Sequence, residues 1–319
     1  INSAQVMSTL TNFPVLISIT DADLGAAALA NGDDIVFTSS DGMTQISHEI
    51  ESWNDIPDKL VAWVNVPSVS SSGDTVIFMY YGNSLATNQE DIPGTWDSNY
   101  KIVTHLHSDA SDSTLNNNDG TNNGSTPGTG KIANAHSFDG VNDDVSFTDQ
   151  PSLDLGAQGT FSIWVQSTDT LTGHEFAVNW DDTQAGRWGM FASANDDKFH
   201  GFFRDNTDRL IGGRSHGGTT NVDTAWHYVV VSYDGIEIRM YVDGIQERST
   251  LDSGKTIHSI TNTGYLGKHP NNVASNRWDG NLDEFRVSDT ARLASWIQTE
   301  YINQNNPGTF YAVGVEEIQ

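Results

Sequence analysis

Oxygen-rich clusters are the first chemistry this chain offers. Asp139, Asp143 and Asp144 surround the turn-like stretch Gly140-Val141-Asn142. Calcium takes hard oxygens from carboxylates, amide carbonyls and backbone, so such a turn is a candidate cation site. The competing reading is that Asp139 and Asp143 accept hydrogen bonds from nearby turn amides. Glu49 and Glu51 stand two apart in the alternating run His48–Trp53, which puts both carboxylates on one side of a strand. Paired carboxylates about 5 Å apart perform retaining glycoside hydrolysis, although solvent-facing strand acids are the commoner fate of such a pair. His105 and His107 share a strand face in the same way; joined by His136 they would suit zinc, against a structural or exposed pair. Gly213-Arg214-Ser215-His216-Gly217 matches the G-x-S-x-G nucleophile elbow. That motif works on a strand-to-helix turn. Here both flanks are glycine-rich and strand-like, so the match reads as a loop.

The elements that must position these groups are strands. Residues 224–247 hold two apolar runs meeting at Asp234-Gly235, with a second Asp-Gly at Asp243-Gly244. Glycine tolerates the positive φ of a type I′ turn, which makes Asp-Gly between alternating runs a strong hairpin signal. Ile236, Ile238, Met240 and Val242 point one way and Glu237, Arg239 and Tyr241 the other, predicting one dry and one wet face. Residues 13–85 read as short strands broken by turns, a β-sandwich. Polar residues 86–100, with Pro93 and Gly94, form a plausible junction. A longer β-rich region covers 101–288. One helix is predicted beyond it, from Leu293, Trp296, Ile297 and Tyr301 on one face, with Asp289 as its cap and a last strand over Thr309–Ile318.

Composition narrows the function classes. Lys plus Arg number 15 against 42 Asp plus Glu, a formal net charge of -27, which repels phosphate backbones and argues against nucleic-acid binding. Acidity of this size suits solubility in a saline or extracellular setting, or a store of carboxylates for calcium. Cysteine is absent, so folding rests on the size of the core rather than on disulfides. No run of 18 apolar residues is present, so no membrane insertion is expected. No basic segment precedes an apolar run at Ile1, and no signal peptide is read there.

Four pieces of the second region carry a resemblance: Ser137–Val145, Thr160–Val165, Trp226–Gly244 and Asp279–Val287. In this order they resemble a laminin-G-like, concanavalin A-like jelly roll of the kind shared with pentraxins. The first hundred residues resemble an uncharacterised β-domain of bacterial and archaeal surface proteins, through Asn12–Leu16, Asp34–Thr38, His48–Trp53, Ala62–Pro67 and Met79–Asn83. That family carries another strand upstream, so the resemblance raises strand addition from a neighbouring copy. The fold class that follows is all-β: an N-terminal β-sandwich over 1–100, a concanavalin A-like jelly roll over 101–288, and a short helix and strand over 289–319.

The resemblance implies sites as well as a fold. In related jelly rolls the edges holding Asp139, Asp143 and Asp283 are neighbours, which makes these three a candidate structural calcium set. Pentraxins bridge ligand through calcium held by two loops, which here carry Trp180-Asp181-Asp182 and Lys268-His269-Pro270-Asn271-Asn272; Lys268 and His269 stand where acids are needed. Sugar binding asks for a flat aromatic beside planar hydrogen-bonding groups. Trp180, Asp181, Asp182, Arg187, Asn271, Asn272, Arg277 and Trp278 are the candidates, with Trp188 equally a core residue. The implied function is a non-enzymatic, extracellular cell-surface module whose partner is a glycan or a surface protein. The alternatives are a filament or layer subunit paired with copies of itself, and a glycan-active enzyme.

Overall fold

The computed structural model describes residues 1–54, 58–168, 175–180, 186–259, 261–269 and 277–317. The chain forms two compact units, one of residues 1–97 with 295–319 and one of residues 98–294.

The first unit holds β1 (Leu10–Thr20), β2 (Val36–Thr38), β3 (Gln45–Ile46), β4 (His48–Asn54), β5 (Lys59–Val69) and β6 (Phe78–Tyr80). They make two antiparallel sheets, ordered β1-β5-β4 and β3-β2-β6. Leu60 through Val64 are each at most 1% exposed, which fits β5 as the central strand, covered on both faces. Two short helices, α1 (Ala22–Ala27) and α2 (Ile92–Thr95), begin at Asp21 and Asp91, whose carboxylates accept from first-turn amides. α3 (Ala294–Asn305) and α4 (Pro307–Phe310) come from the far end of the chain.

α3 closes the outer edge of β1. Trp296 sets its ring edge-on against Phe13 at 4.9 Å. The Asn303 carboxamide accepts from the Leu16 amide at 2.7 Å and donates to the Leu16 carbonyl at 3.0 Å, doing for that residue what a neighbouring strand would. The Tyr311 hydroxyl repeats this at Ser18, accepting at 2.7 Å and donating at 2.9 Å. Pro14, two residues earlier on the same edge, has no N–H to offer.

Two expectations for this end are corrected. Asp289 does not cap α3; it pairs with Lys101 at 2.8 Å. Residues 311–317 form no strand, because α4 takes up the residues from Pro307, and Val313 and Val315 remain exposed.

The second unit is a two-sheet sandwich. Its strands are β7 (Tyr100–Thr104), β8 (Gly120–Asn123), β9 (Thr126–Thr129), β10 (Asn134–Asp139), β11 (Asp144–Phe147), β12 (Gly159–Ser167), β13 (Glu175–Trp180) and β14 (Gly186–Ala192). They continue with β15 (Lys198–Phe203), β16 (His216–Asn221), β17 (His227–Tyr233), β18 (Glu237–Val242), β19 (Ile245–Leu251), β20 (Gly264–Leu266) and β21 (Asp279–Ser288). One sheet runs β19-β18-β17-β12-β21-β10-β9, with β7 also on β21; the other runs β16-β15-β14-β13-β20-β11-β8. Between them Phe161 of β12 meets Trp188 at 4.7 Å and Phe203 at 4.6 Å.

The Asp243-Gly244 turn has the positive φ at both residues that a type I′ turn requires, 51° and 75°, and pairs Val242 with Ile245. At the other Asp-Gly the turn centres one residue later. The Asp234 amide bonds to the Glu237 carbonyl, while its carboxylate accepts from the amides of Ile236 and Glu237. Ile236 is therefore a turn residue, 57% exposed, and not part of the dry face. Tyr241 departs the other way and is buried.

Candidate functional site

The acids proposed for calcium do not converge. Across β10 and β21, Asp139 pairs with Asp279, leaving Asp283 four residues further along the strand, about 13 Å away at strand rise. Asp139 Oδ1 accepts from the amides of Val141 at 2.8 Å and Asn142 at 3.1 Å, and these bonds hold its carboxyl below the usual range. Asp143 Oδ2 accepts from the Asp139 amide, and burial moves its carboxyl the other way, upward. Asp283 is fully buried and accepts from the Ile132 amide at 2.9 Å. Asp144 bonds to Lys268 at 3.1 Å and to Asn123 at 2.8 Å. These side chains tie down their own loops, and the trio Asp139, Asp143 and Asp283 does not fit a single cation.

Of the ligand-binding candidates, Asp181, Asp182, Asn271 and Asn272 lie outside the described residues, and Trp180 is described only in its backbone at the end of β13. The other three are buried. Arg187 is 1% exposed and bonds to Asp149 at 2.6 Å and Asp154 at 2.9 Å. Trp278 is 1% exposed and sits edge-on to Phe176 at 5.2 Å, so its ring offers no stacking face. Arg277 is buried, with a long 3.4 Å contact to the Asp143 carbonyl. Trp188 is likewise core, between Phe161 and Phe285.

The remaining motifs resolve into local partnerships. Trp96 Nε1 donates to Glu49 at 2.7 Å and Trp63 Nε1 to Glu51 at 2.9 Å, with the two indoles 5.5 Å apart. A bulge at Glu51 keeps both carboxylates beside these rings. His105, His107 and His136 have separate partners. His105 Nδ1 is 2.7 Å from Glu284, His107 Nδ1 accepts from the Asn134 amide, and His136 Nδ1 meets Ser125 Oγ at 2.9 Å. Glu284 is fully buried, which alone would raise its carboxyl; His105 and Arg286 outweigh this and hold it low.

Strand pairing builds one surface that no local motif marks. In β15, Phe199 and Phe203 point into the core, so His200 and Phe202 face outward. Register sets Phe191 opposite His200 and Gly217 opposite His200 on its other side. A Cβ at Gly217 would run into Nε2, Cε1 and Cδ2 of the His200 ring, so the imidazole lies flat over that glycine. Its edges are held: Nε2 is 3.0 Å from Asp196 and Nδ1 3.1 Å from Ser215 Oγ. Phe191 lies beside it with centroids 5.2 Å apart and planes 32° apart, and both rings are partly exposed. Phe202 lies flat over Gly189 in the same manner, but the Arg204 guanidinium stands over it and it is 2% exposed. Ser215 is the serine of the G-x-S-x-G string, and it sits just ahead of edge strand β16, between strand and 3-10 turn rather than at a helix start.

A second histidine is bonded through both nitrogens. His227 Nδ1 is 2.8 Å from Asp243 and Nε2 3.1 Å from Asp223. Burial pulls its pKa down, but the hydrogen bonds and charges of the two carboxylates outweigh that, and the net shift is upward.

The sequence profile of the concanavalin A-like lectin/glucanases superfamily matches residues 139–298, half of the chain. The chain belongs to that superfamily. Residues 31–123 match a domain of unknown function, DUF2341. No curated protein matches the chain. Among solved structures, the binding domain of Paraclostridial Mosquitocidal Protein 1 is similar at 15% identity and a TM-score of 0.51, over 64% of this chain and 52% of that one. The botulinum neurotoxin serotype D binding domain is similar at 14% identity and a TM-score of 0.50, over 65% and 51%. Domain 4 of AbnA, a GH43 extracellular arabinanase from Geobacillus stearothermophilus, solved with arabinotriose, aligns at 19% identity and a TM-score of 0.47, over 63% and 98%. This chain spans about half the length of the two toxin binding domains. At these identities the likeness is one of fold.

Proposed function

We propose that this concanavalin A-like protein is a non-catalytic, extracellular cell-surface module whose jelly roll binds a glycan or a surface protein. The observation that supports this best is that solved structures sharing its fold at a TM-score of 0.50 or more are described as binding domains. Glu49 and Glu51 supply no rival. A glycosidase needs two acids free to reach opposite sides of a glycosidic bond, whereas Glu49 and Glu51 are each bonded to an indole N–H. Calcium has no part in this reading at Asp139, Asp143 and Asp283. An acidic surface keeps such a module soluble in saline surroundings.

The filament alternative needs an open sheet edge. The edge of β1 does not support it at Leu16 and Ser18, where Asn303 and Tyr311 already stand.

The test is the intact protein on a glycan array, repeated with EDTA, with bound glycans assayed for new reducing ends. Saturable, EDTA-insensitive binding without cleavage is expected. Release of reducing sugar would replace the module with an enzyme.

A further inference from the structure

We propose that the outer face formed by Phe191 and His200, between Asp196 and Ser215, is a contact site for a neutral glycan. This rests on the binding-module reading above and gives it a place and a ligand class. The flat pair carries the inference. Glycine at 217 lets the imidazole lie on the sheet, and the bonds to Asp196 and Ser215 consume its edges. One ring face rests on the strand, and the His200 side chain keeps 14% of its surface exposed beside the partly exposed Phe191. Phe191 continues that surface from the neighbouring strand, with 5.2 Å between ring centres. A pyranose is about this wide, and its C–H face packs on aromatic rings while its hydroxyls project sideways.

The groups at the rim suit those hydroxyls. Asp196 is half exposed, so its carboxylate can accept from a sugar hydroxyl while still bonded to the ring. The Ser215 hydroxyl both donates and accepts. Phe202 is the internal control: it has the same flat placement over a glycine, but Arg204 stands over it and it is buried. Charge sets the class. Asp196 bonds to the imidazole in a chain of formal charge -27, a net field that repels uronate, sialyl and sulfated sugars, with Arg248 the nearby cation, 3.5 Å from the Gly217 carbonyl. A neutral sugar meets no such barrier.

The full chain is titrated calorimetrically with cellopentaose, xylopentaose, maltopentaose and mannopentaose, and with trigalacturonate and 3′-sialyllactose as acidic counterparts. At least one neutral oligosaccharide is expected to bind, and the acidic pair to bind more weakly or not at all. Phe191→Ala is expected to weaken that binding by about tenfold, the loss of one stacking face. Phe191→Trp, which enlarges the face, is expected to retain or tighten it. The ¹⁵N-labelled imidazole of His200 is expected to shift on sugar addition, a readout independent of any variant's folding. Binding that ignores Phe191 and leaves His200 unshifted overturns the site while the module reading stands. Preference for the acidic sugars overturns the ligand class. Failure of every sugar, here and on the array, removes both.

Discussion

His200 and His227 each lie near the start of a strand, four residues after an aspartate, and each turns Nε2 back to that aspartate. They differ in what meets the other nitrogen. For His200 it is the Ser215 hydroxyl, which serves as donor or acceptor, so one ring proton satisfies both bonds. For His227 it is a second carboxylate, Asp243, and two acceptors require protons on both nitrogens. The same local device thus yields a ring held in place at a surface and a cation locked into the fold. Asp243 also accepts from the Tyr228 amide at 2.9 Å, so the His227 clamp fastens the β18–β19 turn to the start of β17.

This contrast can be broken most sharply at Asp243. Asp243→Ala strands a mostly buried charge-assisted pair and an amide, and it should cost about 2–3 kcal/mol in urea unfolding at pH 6. His200→Ala should cost under about 1 kcal/mol; equal losses would erase the distinction. The pH dependence has a definite sign. The folded-state pKa of His227 lies above its ordinary 6.5, so its stabilisation is fully present below that value and is lost as pH rises through the raised one. The stability gap between wild type and Asp243→Asn should therefore narrow from pH 6 upward, followed by unfolding midpoints across the range. Gly217→Ala comes next. Its methyl must displace the His200 ring, at about 1–2 kcal/mol for overpacking, and sugar binding should fall with little change in the His227 clamp. Ser215→Ala is the mildest, within about 0.5 kcal/mol in stability, visible mainly as altered His200 ¹⁵N shifts.

What could be read along the sequence follows from range. The Asp243-Gly244 hairpin was legible because glycine and aspartate state their φ preference locally. So was the helix stripe at Trp296 and Ile297, both buried, with Tyr301 half-buried; Leu293, read as part of it, is 69% exposed just ahead of the helix. The jelly roll was legible as four motifs in order, and the superfamily match over 139–298 bears this out. Trp278 and Arg187 misled because residue type alone does not say whether a side chain is covered, and both are buried. Asp139, Asp143 and Asp283 misled because neighbouring strands are not enough: β10 and β21 do pair, but register sets Asp279, not Asp283, opposite Asp139. Phe191, His200 and Ser215 come from three strands or their margins and meet only through two rows of pairing. The Gly213–Gly217 string hinted at one of them, as a nucleophile that the strand context does not support.

The bonds from Asn303 and Tyr311 to Leu16 and Ser18 link positions 287 and 293 residues apart. A ribosome makes β1 before residues 98–294 and these partners after them. Domains fold as units while the chain emerges, so the inserted unit has its whole sequence in hand before the unit that surrounds it. β1 waits for residues made after the inserted unit, so of the two units the one begun first is completed second.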